Sequence, residues 1–539
     1  MFIEDIRNDF YNVLLGNRVL LLVHYDVDAV CACKILQDLF KCDNISYTLV
    51  PVGGISELKS AYDENNEEVK YVVLVNCGGT VDLVDILQPE EHVVFFVLDS
   101  HKPTDICNVY SDGQVRLVYK DEEENIPNFD DIFRDDEEDE NSEESEARHG
   151  LEAVVERRRA RKAWEERRHT LMFNYTQFSY HGKPSACVAL ELAARASRCT
   201  AAALWAAAVA TAAHAALHCR SPARCLLDAE PLHRYVAAAQ RNTPDDDAHQ
   251  GARVVVQKDA WLPLYRWWSL EAAISHAAAL APHLRLHARS GAARLRQLLA
   301  DMGFPLQQAR QAYGAMDVEL RRALLPALEA AAPRLRLPAP TRAAFLLRRA
   351  HAPALAALDA VYALMGLIEN EETPRAEGFQ QALGALATDG ELEPLRRGVA
   401  AARRSLEAVA RAVHGTLAAR AVMLAGPFNY FIVQEGSPEA AALRGPLWLA
   451  EAARWVGAAH AHAPRPLLAS APAPHGRCLL LGLPPRFDQE PRNLFGAAFE
   501  QAAAKSGASV SLDFVDSSII SLPTSQRAQF LDALTALLA

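Results

Sequence analysis

At 539 residues the chain exceeds the size, about 250–300 residues, at which a single hydrophobic core stops growing, so two or three domains are expected. Half of it (50%) is hydrophobic, enough for large cores, and the formal charge of −13 excludes a generally basic nucleic-acid coat while leaving room for a local basic groove. The ten cysteines form no C-x-x-C pair, and Cys31 and Cys33 fall on different faces of a predicted helix; buried reduced thiols are expected rather than a zinc site.

The first residues, MFIEDIRNDFY, are charged and amphipathic, unlike the basic-then-apolar order of a secretory leader. Short apolar runs follow at 19–23, 47–52, 71–75, 93–98 and 115–119. They are rich in Val, Leu and Ile with little polar alternation, as in strands covered on both faces. Helical periodicity spans 27–40 and, more briefly, 82–87. This β-α-β-α order predicts a mainly parallel sheet with right-handed crossovers.

Residues 121–146 form an acidic stretch, densest at 135–140, that is expected to be disordered and to act as a solvating loop or tether. A basic helix follows. Arg157, Arg158, Arg159, Arg161 and Lys162 cluster in it, and Glu152, Glu156, Glu165 and Glu166 are spaced for ion pairs. The cluster reads first as an exposed helix face, with a nuclear localisation signal or a phosphate contact as the functional alternatives.

From 187 to 420 the chain is mostly Ala, Leu and Arg with helical periodicity, broken near Ser221 and Pro222 and at 242–247, 338–340 and 370–374. The alanine-rich segment 200–217 contains His214 and is weak in Leu, Ile and Phe, so it is expected to be a buried helix rather than a membrane span. The last stretch predicts strands at 478–481 and 512–521 and helices at 493–505 and 526–538.

Three polar clusters sit at the carboxyl ends of three predicted strands: His24-Tyr25-Asp26-Val27-Asp28, Asn76-Cys77-Gly78-Gly79 and Asp99-Ser100-His101. Ligands bind outside the carboxyl ends of open parallel sheets, so these clusters should converge on one crevice. Carboxylates and imidazole suit hard divalent cations, which in pairs generate hydroxide and stabilise the leaving oxygen of a phosphodiester. Asp and Asn also end strands because they favour turns; the D-x-D and D-x-H spacings at three strand ends together form the stronger signal.

These clusters resemble the first three motifs of the DHH phosphoesterases, the RecJ-like nucleases, with three departures. The middle histidine of the third motif is Ser100, the strand-ending aspartate of the second is Asn76, and the aspartate of a later helix, in LWAAAVATAAH, is Ala213. His214 is adjacent but is expected about 100° further round that helix. The resemblance therefore implies a degenerate remnant made of Asp26, Asp28, Asn76, Asp99 and His101, with no catalytic residue, no metal and no cofactor.

Along its whole length the chain resembles the cell-division-cycle-forty-five family, the RecJ-like eukaryotic replication factors. The segments that carry this are VDAVCACKILQDLF (27–40), YTLVPVGG (47–54), VDLVDILQPEE (81–91), FDDIFRDDEEDE (129–140), WEERR (164–168), YHGKPSA (180–186), WSLEAAI (268–274), LADMGFPLQQ (299–308), GPFNYFIVQEG (426–436) and NLFGAAFEQAA (493–503). The resemblance implies an α/β fold: a DHH-type parallel-sheet domain at 1–225 with an acidic insertion at about 121–150, a helical insertion domain at 226–375, and a DHHA1-like α/β domain at 376–539. It implies a non-catalytic factor of replication initiation and elongation in the nucleus. Its partners would be the MCM ring and the GINS complex, with which it forms the active replicative helicase, and also single-stranded DNA and the replicative polymerase; no membrane is expected. Related nucleases hold nucleic acid with a glycine-rich, histidine-containing motif; its nearest counterpart here, His475-Gly476-Arg477, lacks the run of glycines. The alternative is an active metal-dependent single-strand exonuclease or phosphoesterase, which would need other ligands in place of Asn76 and Ala213.

Overall fold

The structure is a computed structural model that describes residues 1–133, 151–242, 251–349, 352–389, 392–460, 464–485 and 490–539. The five apolar runs form strands β1 (Val19–His24), β2 (Tyr47–Val52), β3 (Tyr71–Val75), β4 (Val94–Leu98) and β6 (Val115–Leu117), with a short additional strand β5 (His101–Lys102) before the last of them. All but β5 pair in parallel, in the order β2-β1-β3-β4-β6. One face buries Leu20, Leu22, Val72 and Leu74 with Leu58 and Tyr62 of helix Ile55–Asn65; the other buries Leu21 and Val73 with Val30 and Leu36 of helix Val27–Cys42. Burial on both faces explains the absence of polar alternation. The chain leaves β1 toward β2 on one side and returns to β3 on the other. The carboxyl ends of β1 and β3 therefore flank a topological switch point.

The acidic stretch does not follow the expected disorder at its start. Asp121 and Glu124 are buried, and Phe129–Ile132 forms a short helix that buries Ile132. The cause is a specific counter-charge: Lys102 Nζ lies 2.9 Å from Glu124 in a buried pair. The remainder of the stretch, 134–150, lies outside the described residues. Helix Leu151–Thr176 then docks on this short segment, with Trp164 Nε1 donating to the Asp130 carbonyl and Arg168 Nε to that of Ile132.

Strand β7 (Tyr180–His181) pairs antiparallel with β5. Helices Ser185–Arg195 and Ala201–Ala216 follow and pack on Val27–Cys42. The alanine-rich helix is buried, as predicted, and among the described residues no helix is long and apolar enough to cross a membrane.

The stretch 187–420, read as helical with breaks, contains a three-stranded antiparallel sheet, β8 (Arg253–Ala260), β9 (Thr341–Arg349) and β10 (Ala352–Ala356), in the order β10-β9-β8. In β9 the run Phe345-Leu346-Leu347 is buried between exposed arginines and alanines, a pattern that periodicity alone does not separate from a helix. Between β8 and β9, short helices close a core of their own around Leu270, Ile274, Leu298, Phe304 and Leu328.

The C-terminal sheet runs in chain order through β11 (Met423–Ala425), β12 (Phe428–Ile432), β13 (Leu467–Ala473), β14 (Arg477–Leu483) and β15 (Ile519–Pro523). Leu468, Leu480 and Ile520 face helices Phe495–Ser506 and Arg527–Leu538, whereas Leu467, Ala469 and Leu481 face helix Pro446–Ala459. The strand predicted at 512–521 is shorter than expected. Residues 512–518 instead leave the sheet and cross to the N-terminal half, where Val515 is buried in the core beside Leu58 and Leu74.

Glu369, at the C-cap of helix Ala357–Ile368, ties that helix to helix Pro446–Ala459 by accepting the N–H groups of Leu447 (2.9 Å) and Trp448 (3.1 Å). Burial outweighs these donors and Arg375, and pushes the carboxyl from 4.5 up to about 7. The folded state therefore holds more protons than the unfolded state between these values, and its stability falls as pH rises through that window. Urea midpoints below and above the window should show this loss in the wild type and a flatter response in Glu369→Gln.

Candidate functional site

The three predicted clusters converge at the switch point. Asp26 caps helix Val27–Cys42 by accepting the Ala29 N–H (2.7 Å), and its other oxygen meets His24 Nδ1 at 2.9 Å. Asp28 is buried in the first turn of that helix. Asn76, directly after β3, has φ 50°, a left-handed conformation that Asn tolerates better than most residues. Gly79 lies so close to Asp99 that a Cβ there would sit 2.8 Å from the carboxylate; its N–H donates to Asp99 Oδ2 at 2.9 Å. The other Asp99 oxygen accepts from the His101 N–H (2.9 Å) and pairs with His101 Nδ1 (2.8 Å).

Asn76 forms the hub. Its Oδ1 accepts the Ser100 N–H (3.1 Å) and the Ser185 hydroxyl, so Nδ2 must point the other way. Nδ2 donates to both oxygens of Asp26 (3.2 Å each) and to Asp28 Oδ2 (3.0 Å). Asp28 also accepts the N–H groups of Ser185 (2.8 Å) and Ala186 (3.0 Å), at the start of helix Ser185–Arg195, where a negative charge is favoured.

Burial opposes ionisation of Asp28, but His214 and these donors outweigh it and hold the carboxyl below its ordinary range. Asp99 is held low in the same way, burial being outweighed by His101. For His101, burial is outweighed by the Asp99 carboxylate, which with Asp516 and Asp26 raises the imidazole to about 9. His181 goes the other way. Burial, together with the charges of His101 and His214, lowers it to about 3.

These imidazoles line up along the cleft, with ring centroids 6.0 Å apart for His24 and His101, 5.0 Å for His101 and His181, and 5.8 Å for His181 and His214. His214 thus corrects the sequence expectation. Its Nε2 lies 3.7 Å from Asp28 Oδ2, so the helix turns this side chain toward the site beside the buried Ala213. His181 and Ser185 were also missed as site residues. They lie in YHGKPSA, but only the pairing of β5 with β7, which sets His181 opposite His101, brings them in.

The cleft holds about 550 Å³ and is closed on one side by residues 512–519. Asp513 Oδ1 accepts the Ser56 N–H (2.6 Å) at the start of helix Ile55–Asn65. His475 and Gly476 form the turn between β13 and β14, with φ 59° and 69°, and are not among the residues lining the cleft. Arg158, Arg159, Arg161 and Lys162 are exposed on helix Leu151–Thr176, which also carries Arg157; Arg161 pairs with Glu165 and Lys162 with Glu166. Among the described residues, the one trio of carboxylate, thiol or imidazole ligand atoms within 4.8 Å of one another is Asp82, Asp105 and Cys107. Both of those aspartates cap short helices. The strand-end cluster offers instead a carboxylate pair whose acceptors are already met by amide, backbone and imidazole groups.

The CDC45 family model matches residues 19–153, 120–377 and 369–537. The chain is 36% identical to the Cell division control protein 45 homolog of Homo sapiens and 36% identical to that of Mus musculus, each alignment covering 100% of both chains. The crystal structure of CDC45 from Entamoeba histolytica superposes with a TM-score of 0.74 at 19% identity, covering 99% of each chain, and so shares the fold.

Proposed function

The chain belongs to the CDC45 family, and from that premise we propose that it is a non-catalytic factor of DNA replication initiation and elongation. In this role it joins the MCM ring and the GINS complex to form the active replicative helicase at origins and forks. The observation that carries the non-catalytic part is the position of Asn76 Nδ2, within hydrogen-bond distance of both Asp26 and Asp28. A two-metal phosphoesterase site needs carboxylates facing its cations. Here an amide donor faces them, Ala213 supplies no ligand, and two backbone N–H groups already hold Asp28. The residues present do not fit such a metal pair, and we derive no step through one.

This reading places the protein in the nucleus, with the exposed Arg158, Arg159, Arg161 and Lys162 available to an import receptor. Single-stranded DNA and the replicative polymerase are its further partners, and the domains divide near 225 and 375. Reconstitution tests it. Purified MCM ring and GINS should unwind a forked DNA with ATP only when this chain is added, and the three should co-elute. Unwinding that is equally fast without the chain would contradict the proposal.

A further inference from the structure

The carboxylates of Asp26 and Asp28 both touch one atom, Asn76 Nδ2, so they lie close together in a largely buried place. Two like charges so placed oppose each other's ionisation unless hydrogen-bond donors or cations face them, and one group that reaches both is best placed to hold the pair. We propose that the Asn76 amide is that group: it replaces a divalent cation as the fixed counter-group of the pair, and the single change Asn76→Asp turns the cluster into a cation-requiring site.

The surrounding hydrogen bonds fit this role. Asp26 is completed by the Ala29 N–H and by His24, and Asp28 by the N–H groups of Ser185 and Ala186 and by His214, whose Nε2 lies 3.7 Å away; Asn76 is the group that reaches both carboxylates. The amide cannot turn over, because its oxygen is held by a backbone N–H that can only donate. The left-handed backbone at Asn76 tolerates Asp as it tolerates Asn, so the substitution changes charge and leaves shape almost intact. It would set a third carboxylate against two others without a shared donor between them, a cluster that a shared proton or a bound cation stabilises.

This inference rests on the reading of the cleft as metal-free, and its primary readout is cation binding rather than DNA cleavage. Thermal melting of the full chain is followed in EDTA and in excess Mn²⁺. The wild type should melt at the same temperature in both. Asn76→Asp should melt several degrees lower in EDTA and recover with Mn²⁺; a melting temperature of Asn76→Asp that is indifferent to Mn²⁺ overturns the proposal. Should that variant not fold, an electron-paramagnetic-resonance titration of the wild type with Mn²⁺ decides. A spectrum that stays that of the free ion supports the proposal, and bound Mn²⁺ that is lost in Asp26→Ala overturns it. Bound Mn²⁺ without DNA cleavage would overturn the role of Asn76 alone, whereas cleavage would overturn the non-catalytic reading.

Discussion

Glu124→Ala is expected to lower the stability of the folded chain by about 3–5 kcal/mol, the range for removing one partner of a buried ion pair. The Lys102 and Glu124 side chains are 4% and 0% exposed, and Nζ lies 2.9 Å from the carboxylate. Burial opposes ionisation of Glu124, yet Lys102 outweighs it and holds the carboxyl below its usual range. Removing the glutamate strands an ammonium away from water. It also removes the acceptor for Thr104 and one of the two acceptors of the Tyr175 hydroxyl, which keeps the Thr104 carbonyl at 2.8 Å, so the end of helix Leu151–Thr176 is held less firmly. Urea denaturation gives the cost, and hydrogen exchange should quicken in that helix before it does in β1 or β3. A double variant, Lys102→Met with Glu124→Leu, should cost less than either single change, because no charge is left unpaired. A single alanine change costing under about 1 kcal/mol would show that the pair does not organise this region.

Gly54→Ala should cost about 2–4 kcal/mol, the sum of overpacking and a lost helix cap. The φ of Gly54 is −170°, extended backbone open to any residue, so the constraint is space. A Cβ there would lie 1.9 Å from the Asp513 carbonyl oxygen, and backbone has no rotamer by which to give way. The crossing segment must move, taking with it the Asp513 cap on Ser56 and the buried Val515. Asp513→Ala is the control: it removes the cap but keeps the space, and should cost only about 1 kcal/mol. Calorimetry separates the two, and equal losses would mean that the close approach at Gly54 carries no strain.

The N-terminal sheet was legible because its inner strands β1, β3 and β4 are buried on both faces and read as unbroken apolar runs; the predicted limits of β3 and of the half-buried edge strand β2 are those of the structure. Asp26, Asp28, Asn76, Asp99 and His101 were legible as a site for a related reason. In a parallel sheet the strand ends meet wherever the runs stop. His181, His214 and Ser185 had no such signal, since their positions depend on a strand pairing and a helix rotation set by packing. β9 was hidden by arginine and alanine, which suit a helix face as well as a strand end. Residues 512–518 were read as part of a strand, but a cap on a distant helix and a buried valine draw them off the sheet. At 121–133, composition argued for solvent while Lys102 supplied a buried partner that composition cannot reveal.

The claim that the cleft keeps its form without its chemistry meets its most direct test in a cleavage assay. Single-stranded DNA is incubated with the full chain across a Mn²⁺ titration, beside Asp26→Ala. No cleavage above the level of the variant is predicted at any Mn²⁺ concentration. Cleavage by the wild type that is abolished in Asp26→Ala would contradict the account.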